Sequence, residues 1–373
     1  MKTTYRLRAY YFLILLLAGI LNFIGVLIVR SAANMDSAVF IRQIIGSVAG
    51  FCVCIGVSLI NYDLYVRFHR LIYGAVIAFL VAVIVWGGVH HGAGRWITVP
   101  ILGQLQPAEF SKTGLILYFA SYFERNREKL NEVKVLFTAI FLFLVPAVLI
   151  FIEPNLSTAI IIFVIFAFSY FSAGLSRFWT GVFGGGLAGL TGLLLFAFRT
   201  DRYQYIPFLK GYHKDRILSF LYPDVYSDTY FQQENSIMAI GSGGFFGKGL
   251  FNTDISSVKA GNFLIEEDTD FIFAIMGEEL GFRGCLLILL AFLLLIILIL
   301  WIAGKSKDVA GSVICTGTAA WIGFQTFTNI AVATAIFPNT GVTLPFFSRG
   351  VSSLLALYLA LGVVLNVGLQ CKD

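Results

Sequence analysis

The feature that most constrains this chain is a recurring run of about twenty apolar residues. One example is LILLLAGILNFIGVLIV at 13–29, and another is AFLLLIILILWIA at 291–303. A helix that is apolar around its whole circumference needs either a lipid bilayer or a very large core, and about 20 such residues match the bilayer. Ten runs qualify: about 9–29, 39–60, 71–87, 107–123, 135–152, 156–174, 178–198, 271–302, 309–337 and 351–369. Of the 373 residues, 58% are hydrophobic and 13% are charged. A soluble protein carries roughly 25% charged residues, so a water-soluble fold is excluded. The expectation is an all-α polytopic membrane protein of about ten transmembrane helices, forming one membrane domain over 1–373. The first run has no small-residue exit site and reads as a signal-anchor helix.

Lysine and arginine orient the spans. With the N terminus inside, the inner segments hold Lys2, Arg6, Arg8, Arg67, Arg70, Arg125, Arg127, Lys129, Lys134, Arg177, Lys305, Lys307 and Lys372. The short outer loops hold Arg30, Arg95 and Arg349 alone. Both termini are therefore expected in the cytoplasm, with the longest loop, 199–270, outside between the seventh and eighth spans. Two further outer loops are 87–106 and 338–350. The net charge of +5 reflects the inner loops and gives no reason to expect nucleic acid. No nucleotide fingerprint occurs. The five cysteines lie in or beside apolar runs without metal-ligand spacing, and adjacent His90 and His91 do not make a metal site.

Charge inside a membrane marks either function or a pair. Glu109 and Lys112 are three apart at the outer end of the fourth span, so they share a face and can pair. Glu279 and Arg283, four apart in the eighth, are expected to pair too. Glu153 ends the fifth span, and Arg42 lies early in the second. The stretch 266–282, EEDTDFIFAIMGEELGF, holds six carboxylates. Glu266, Glu267 and Asp268 are expected to be hydrated loop charges, and Glu278 and Glu279 buried partners. Asp270 stands at the outer mouth of the eighth span, both confined and reachable. It reads either as a helix cap, with Thr269, or as a catalytic acid. The glycines of 239–249 suit either a phosphate-cradling loop or a re-entrant or amphipathic segment of the outer loop. Gln232 and Ser236, four apart, could line a site from one helical face.

GRWI (94–97), QPAEFSK (106–112), EPNLSTA (153–159), QQENSIMAIGSGGFFGKG (232–249), EEDTDFIFAIMGEELGF (266–282) and NTGVTLPFFSRGVSS (339–353), taken with the ten-span layout, resemble the SEDS family of RodA, FtsW and SpoVE type. The resemblance implies a peptidoglycan glycosyltransferase that polymerises lipid II, an undecaprenyl-pyrophosphate-linked disaccharide-pentapeptide, at the outer face of the cytoplasmic membrane. The implied partner is a class B penicillin-binding protein, alongside membrane lipid. The family's essential acid falls on Asp270. Lys112, Glu109, Arg95, Gln232, Ser236, Lys248 and Arg349 are the candidate substrate-binding residues, with Lys112 preferred as the cation on the leaving pyrophosphate. No metal ligands are assigned and no cofactor is fixed; a divalent cation, Mg or Mn, is a candidate at the pyrophosphate. The motifs are shared by the elongation, division and sporulation branches.

Three departures stand out from the family pattern: Asn155 and Ala108 each replace a commoner polar group, and Asp268 stands where histidine is frequent. Asp268 adds negative charge beside the proposed base and favours a nearby cation. SRGVSS also replaces a glycine-rich segment at Arg349. The competing reading is a flippase or transporter of lipid-linked cell-wall precursor, which intramembrane charge would also suit.

Overall fold

The computed structural model describes residues 9–33, 35–90, 93–99, 103–153, 155–200, 211–252, 257–259, 261, 264 and 267–371. Glu266 and the terminal lysines and arginines lie outside the described residues.

Ten long helices occupy the ten expected spans. They are α1 (Ala9–Ala32), α2 (Ser37–Ser58), α4 (His69–Trp86), α5 (Pro107–Arg125), α6 (Val133–Ile152), α7 (Leu156–Ala173), α8 (Arg177–Arg199), α11 (Ile272–Gly304), α12 (Val309–Ala333) and α13 (Val351–Leu369). Among the described residues, eight are long and apolar enough to cross a membrane. The other two, α5 and α12, fall short because they carry the polar groups of the interior. A six-residue α3 (Tyr62–Arg67) connects α2 to α4. The chain is a multi-pass membrane protein.

Local chemistry sets the helix ends. Pro107 opens α5 at its first turn, where no N–H is needed. Asp308 accepts from Gly311 N at 2.8 Å and Asn155 from Thr158 N at 3.2 Å, satisfying the first N–H groups of α12 and α7. Gly174, at φ +113°, closes α7 in the left-handed region. α5, α12 and α13 form the centre, buried on nearly every face. α8 buries little of itself.

The outer segments depart from simple loops. Segment 87–106 forms an antiparallel meander of β1 (Gly88–His90), β2 (Ala93–Val99) and β3 (Gly103–Leu105). Trp96, Ile97, Thr98 and Val99 are strand-forming types, a signal masked by the surrounding glycines. Ser352 fastens the sheet to α13, accepting from Gln106 N at 3.1 Å and donating to Gln104 O at 3.2 Å. Segment 199–270 contains α9 (Gly211–Leu221) and α10 (Ser227–Ser242), followed by a glycine-rich turn over 243–249.

That turn explains an interruption in α11. Gly281 has φ 65° and ψ −173°, a conformation essentially restricted to glycine. The break frees two carbonyls and two N–H groups, and the turn takes all four. Lys248 N and Gly249 N donate to Glu278 O and Glu279 O, and Phe282 N and Arg283 N donate to Gly244 O and Phe245 O. A methyl on Gly247 would lie 2.2 Å from Glu279 O, so the contact needs glycine. The glycines serve this backbone approach to α11, and the N–H groups a phosphate cradle would use at Lys248 and Gly249 are already spent.

Candidate active site

Asp270 precedes α11. The N-cap position falls on Phe271, so neither Thr269 nor Asp270 is the helix cap. Asn329 of α12 fixes the segment from below, donating to Asp270 O at 2.8 Å and to Val342 O at 2.6 Å. The 338–350 loop is thereby held beside Asp270. Gly341 in that loop has φ +70°, and a methyl there would lie 3.1 Å from Asp270 Oδ2 and 3.5 Å from Arg216 Nη1. The Asp270 carboxylate and the guanidinium of Arg216, from α9, thus converge on one glycine.

Next to this point opens a groove of about 520 Å³ between α7, α8, α9, α12 and residues 336–342. Its walls are apolar, among them Ile160, Leu195, Phe198, Phe220 and Phe337, and its cations are Arg95 and Arg216. Arg95 is positioned by β2, with its Nε donating to Glu153 O at 3.0 Å. Ser157 donates to Thr340 O and ties the start of α7 to the same loop. Just beyond the end of α6, the Glu153 carboxyl is buried with both oxygens unpartnered, and burial pushes it up to about 8 against the pull of Arg95.

Asp268 is buried, not hydrated. Arg349 Nη1 lies 2.6 Å from its Oδ2, and Arg349 N donates to Asp268 O at 2.8 Å. Ser348 Oγ donates to Thr269 O at 2.6 Å. The two departures at 268 and 349 are therefore one ion pair, and the extra acid beside Asp270 brings its own cation. Glu267 is also partly buried, and burial followed by the charge of Asp268 raises it to about 8.

Lys112 is placed elsewhere. It pairs with Glu109 at 2.7 Å as the spacing predicts. It is fully buried (0% exposed), donates to Gln325 Oε1 at 3.0 Å, and lies 4.7 Å from the Trp321 ring centroid. Gln325 in turn donates to Thr343 O at 2.8 Å. Gln325 and Asn329, four apart on α12, thus hold neighbouring residues of one loop. Through them the Glu109–Lys112 pair supports the loop beside Asp270 without facing the groove.

The remaining candidates also turn inward. Ser236 is buried and donates to Ala333 O at 2.7 Å, and its neighbour Gln233 donates to Val332 O at 3.0 Å, so α10 caps the end of α12. Gln232 is half-buried on the same helix. Lys248 pairs with Glu278 at 2.7 Å. Glu279 pairs with Lys259, not Arg283, because the break at Gly281 removes the helical register that four-residue spacing assumes. Arg283 instead lies 4.7 Å from the Phe246 ring centroid. Arg216, Gln325, Asn329 and Lys259 were not singled out from the sequence. Among the described residues no group of three or more His, Cys, Asp or Glu side chains could hold a metal ion.

Comparison with known proteins agrees with this architecture. A probable peptidoglycan glycosyltransferase FtsW of Geobacter sp. (strain M18) is 32% identical over 98% of this chain and 99% of its own. The peptidoglycan glycosyltransferase MrdB of Escherichia coli (strain K12) is 31% identical over 95% of this chain and 92% of its own. Among solved structures, a chain from a peptidoglycan synthase complex superposes with a TM-score of 0.77 at 26% identity, covering 95% of this chain and 96% of that one. The rod shape determining protein RodA of Thermus thermophilus gives 0.69 at 26% identity, covering 95% of each. The cell cycle protein family model of FtsW, RodA and SpoVE matches residues 5–373, and the chain belongs to that family.

Proposed function

We propose that this protein is a peptidoglycan glycosyltransferase that polymerises lipid II at the outer face of the inner membrane, with both termini in the cytoplasm. The observation that carries the reading is the meeting of Asp270 and Arg216 around Gly341, at the mouth of an apolar groove whose other cation is Arg95. An apolar groove ending in guanidinium groups suits a polyprenyl pyrophosphate: the tail lies along the walls and the phosphates meet the cations.

The chemistry follows from that placement. The acceptor hydroxyl oxygen attacks the anomeric carbon of the donor sugar. The bond from that carbon to the pyrophosphate oxygen breaks, and the hydroxyl proton passes to the Asp270 carboxylate. Negative charge grows on the departing pyrophosphate, where Arg216 and Arg95 stabilise it. Lys112 and Glu109 act as positioning residues through Gln325 and Thr343, and Arg349 neutralises Asp268. A class B penicillin-binding protein is the proposed partner, in keeping with the likeness to a chain of a synthase complex.

Purified protein in detergent, given lipid II and the partner, tests the reading. A polymerase makes glycan strands with no membrane compartment present. A flippase has no task there, and absence of glycan with the folded complex would overturn the proposal.

A further inference from the structure

The turn over 243–249 carries an exposed aromatic cluster that the chemistry does not use. Phe245, Phe246 and Phe282 are 58%, 65% and 61% exposed, yet packed against each other, with centroids 5.0 Å apart for Phe245–Phe246 and 6.0 Å for Phe245–Phe282. Three exposed phenylalanines are costly against water, at about 25 cal/mol per Å² of apolar surface.

Two observations fix their height. First, Lys259 and Glu279 both bond Ser31, one residue before the end of α1. Glu279 therefore sits level with the outer end of a spanning helix. Second, the unbroken part of α11, Phe282–Gly304, is about 34 Å long at 1.5 Å per residue, close to the ~30 Å of bilayer hydrocarbon. Both place Phe282 at the outer edge of the hydrocarbon. Below it the exposed Leu286, Leu287, Leu290 and Leu293 continue the same lipid-facing surface.

We infer that the 243–249 turn is an interfacial membrane anchor, with Phe245, Phe246 and Phe282 seated among the outer-leaflet acyl chains and Arg283 at the lipid phosphates. Arg283 stacks on Phe246, which leaves its guanidinium at the rim of the apolar patch, as an amphipathic interfacial element requires. The turn is bonded across the break to the outer piece of α11, so the anchor also sets the height of Asp270 above the bilayer. The inference does not depend on the proposed reaction.

Nanodiscs carrying the full chain test it. Phe246→Trp adds one emitter at the patch, and Phe245→Trp repeats the reading independently. Val225→Trp, between α9 and α10, is the aqueous control. With lipids brominated high on the acyl chain, most of the emission added by Phe246→Trp should be lost, while iodide leaves it. Val225→Trp should behave the opposite way. Iodide quenching of Phe246→Trp equal to that of Val225→Trp, with no effect of brominated lipid, would overturn the anchor. So would protection from both quenchers, which would mean that protein and not lipid covers the patch.

Discussion

Two ionic sites stand on either side of the 338–350 loop, and they are built for different work. At Glu109–Lys112 both charges are buried, paired, and held by Gln325 and Trp321. At Asp270 the carboxylate is half-buried beside Arg216, next to a groove large enough for a ligand. A buried pair whose partners all lie inside the protein has little to offer a substrate, and breaking it is felt as lost structure. A partly open carboxylate flanked by a cation can both exchange a proton and meet an anion. Each site is a carboxylate beside a cation, and in the proposed reaction burial is what separates support from chemistry.

The sharpest way to break this contrast is at Gly341. Gly341→Ala forces a methyl against Asp270 and Arg216 and demands a left-handed backbone, so glycan synthesis should fall by about 10²–10³ with the fold retained. Removing the cation with Arg216→Ala should cost a similar factor, and Arg216→Lys should restore only part, since lysine lacks the planar fork. Steady-state polymerisation of labelled lipid II checks both. Unchanged rates would remove Arg216 from the site.

The support side gives the next effect. Lys112→Ala strands Glu109 and should destabilise the protein by about 3–5 kcal/mol, read as a lower thermal midpoint in detergent. The double variant with Glu109→Ala should lose less than the two single losses added together. A Lys112→Ala protein that melts like wild type but makes no glycan would move Lys112 from support into the chemistry.

Protonation sharpens the same boundary. The Glu153 and Glu267 carboxyls are raised from the ordinary 4.5 to about 8, so the folded state holds their protons where the unfolded state has released them. Stability should therefore fall as pH rises from 4.5 towards 8, and Glu153→Gln should flatten that slope in a thermal-melt series. The smallest effect belongs to Arg349. Its side chain is 46% exposed, so Arg349→Ala should cost no more than ~1 kcal/mol of stability, while loosening the loop beside Asp270. Charge reversal at both Asp268 and Arg349 should recover most of any lost rate.

Much of this was legible in the chain. Hydropathy placed the ten long helices, and three-residue spacing within one unbroken helix placed Glu109 against Lys112. Asp270 was legible because it is the last acid before an apolar run. Arg216, Gln325, Asn329 and Lys259 were not, because each meets its partner across long sequence separations, which local spacing does not encode. The Glu279–Arg283 expectation failed for a related reason: Gly281 interrupts the helix between them. The 243–249 glycines showed only that something approaches closely, and α11 itself turned out to be what approaches.

The most direct test compares wild type with Asp270→Asn in complex with the partner, measuring lipid II binding and glycan formation on the same preparation. The account predicts that Asp270→Asn keeps its fold and binds lipid II but makes glycan slower by about 10²–10⁴. Glycan synthesis at the wild-type rate would contradict it and leave Asp270 without a catalytic role.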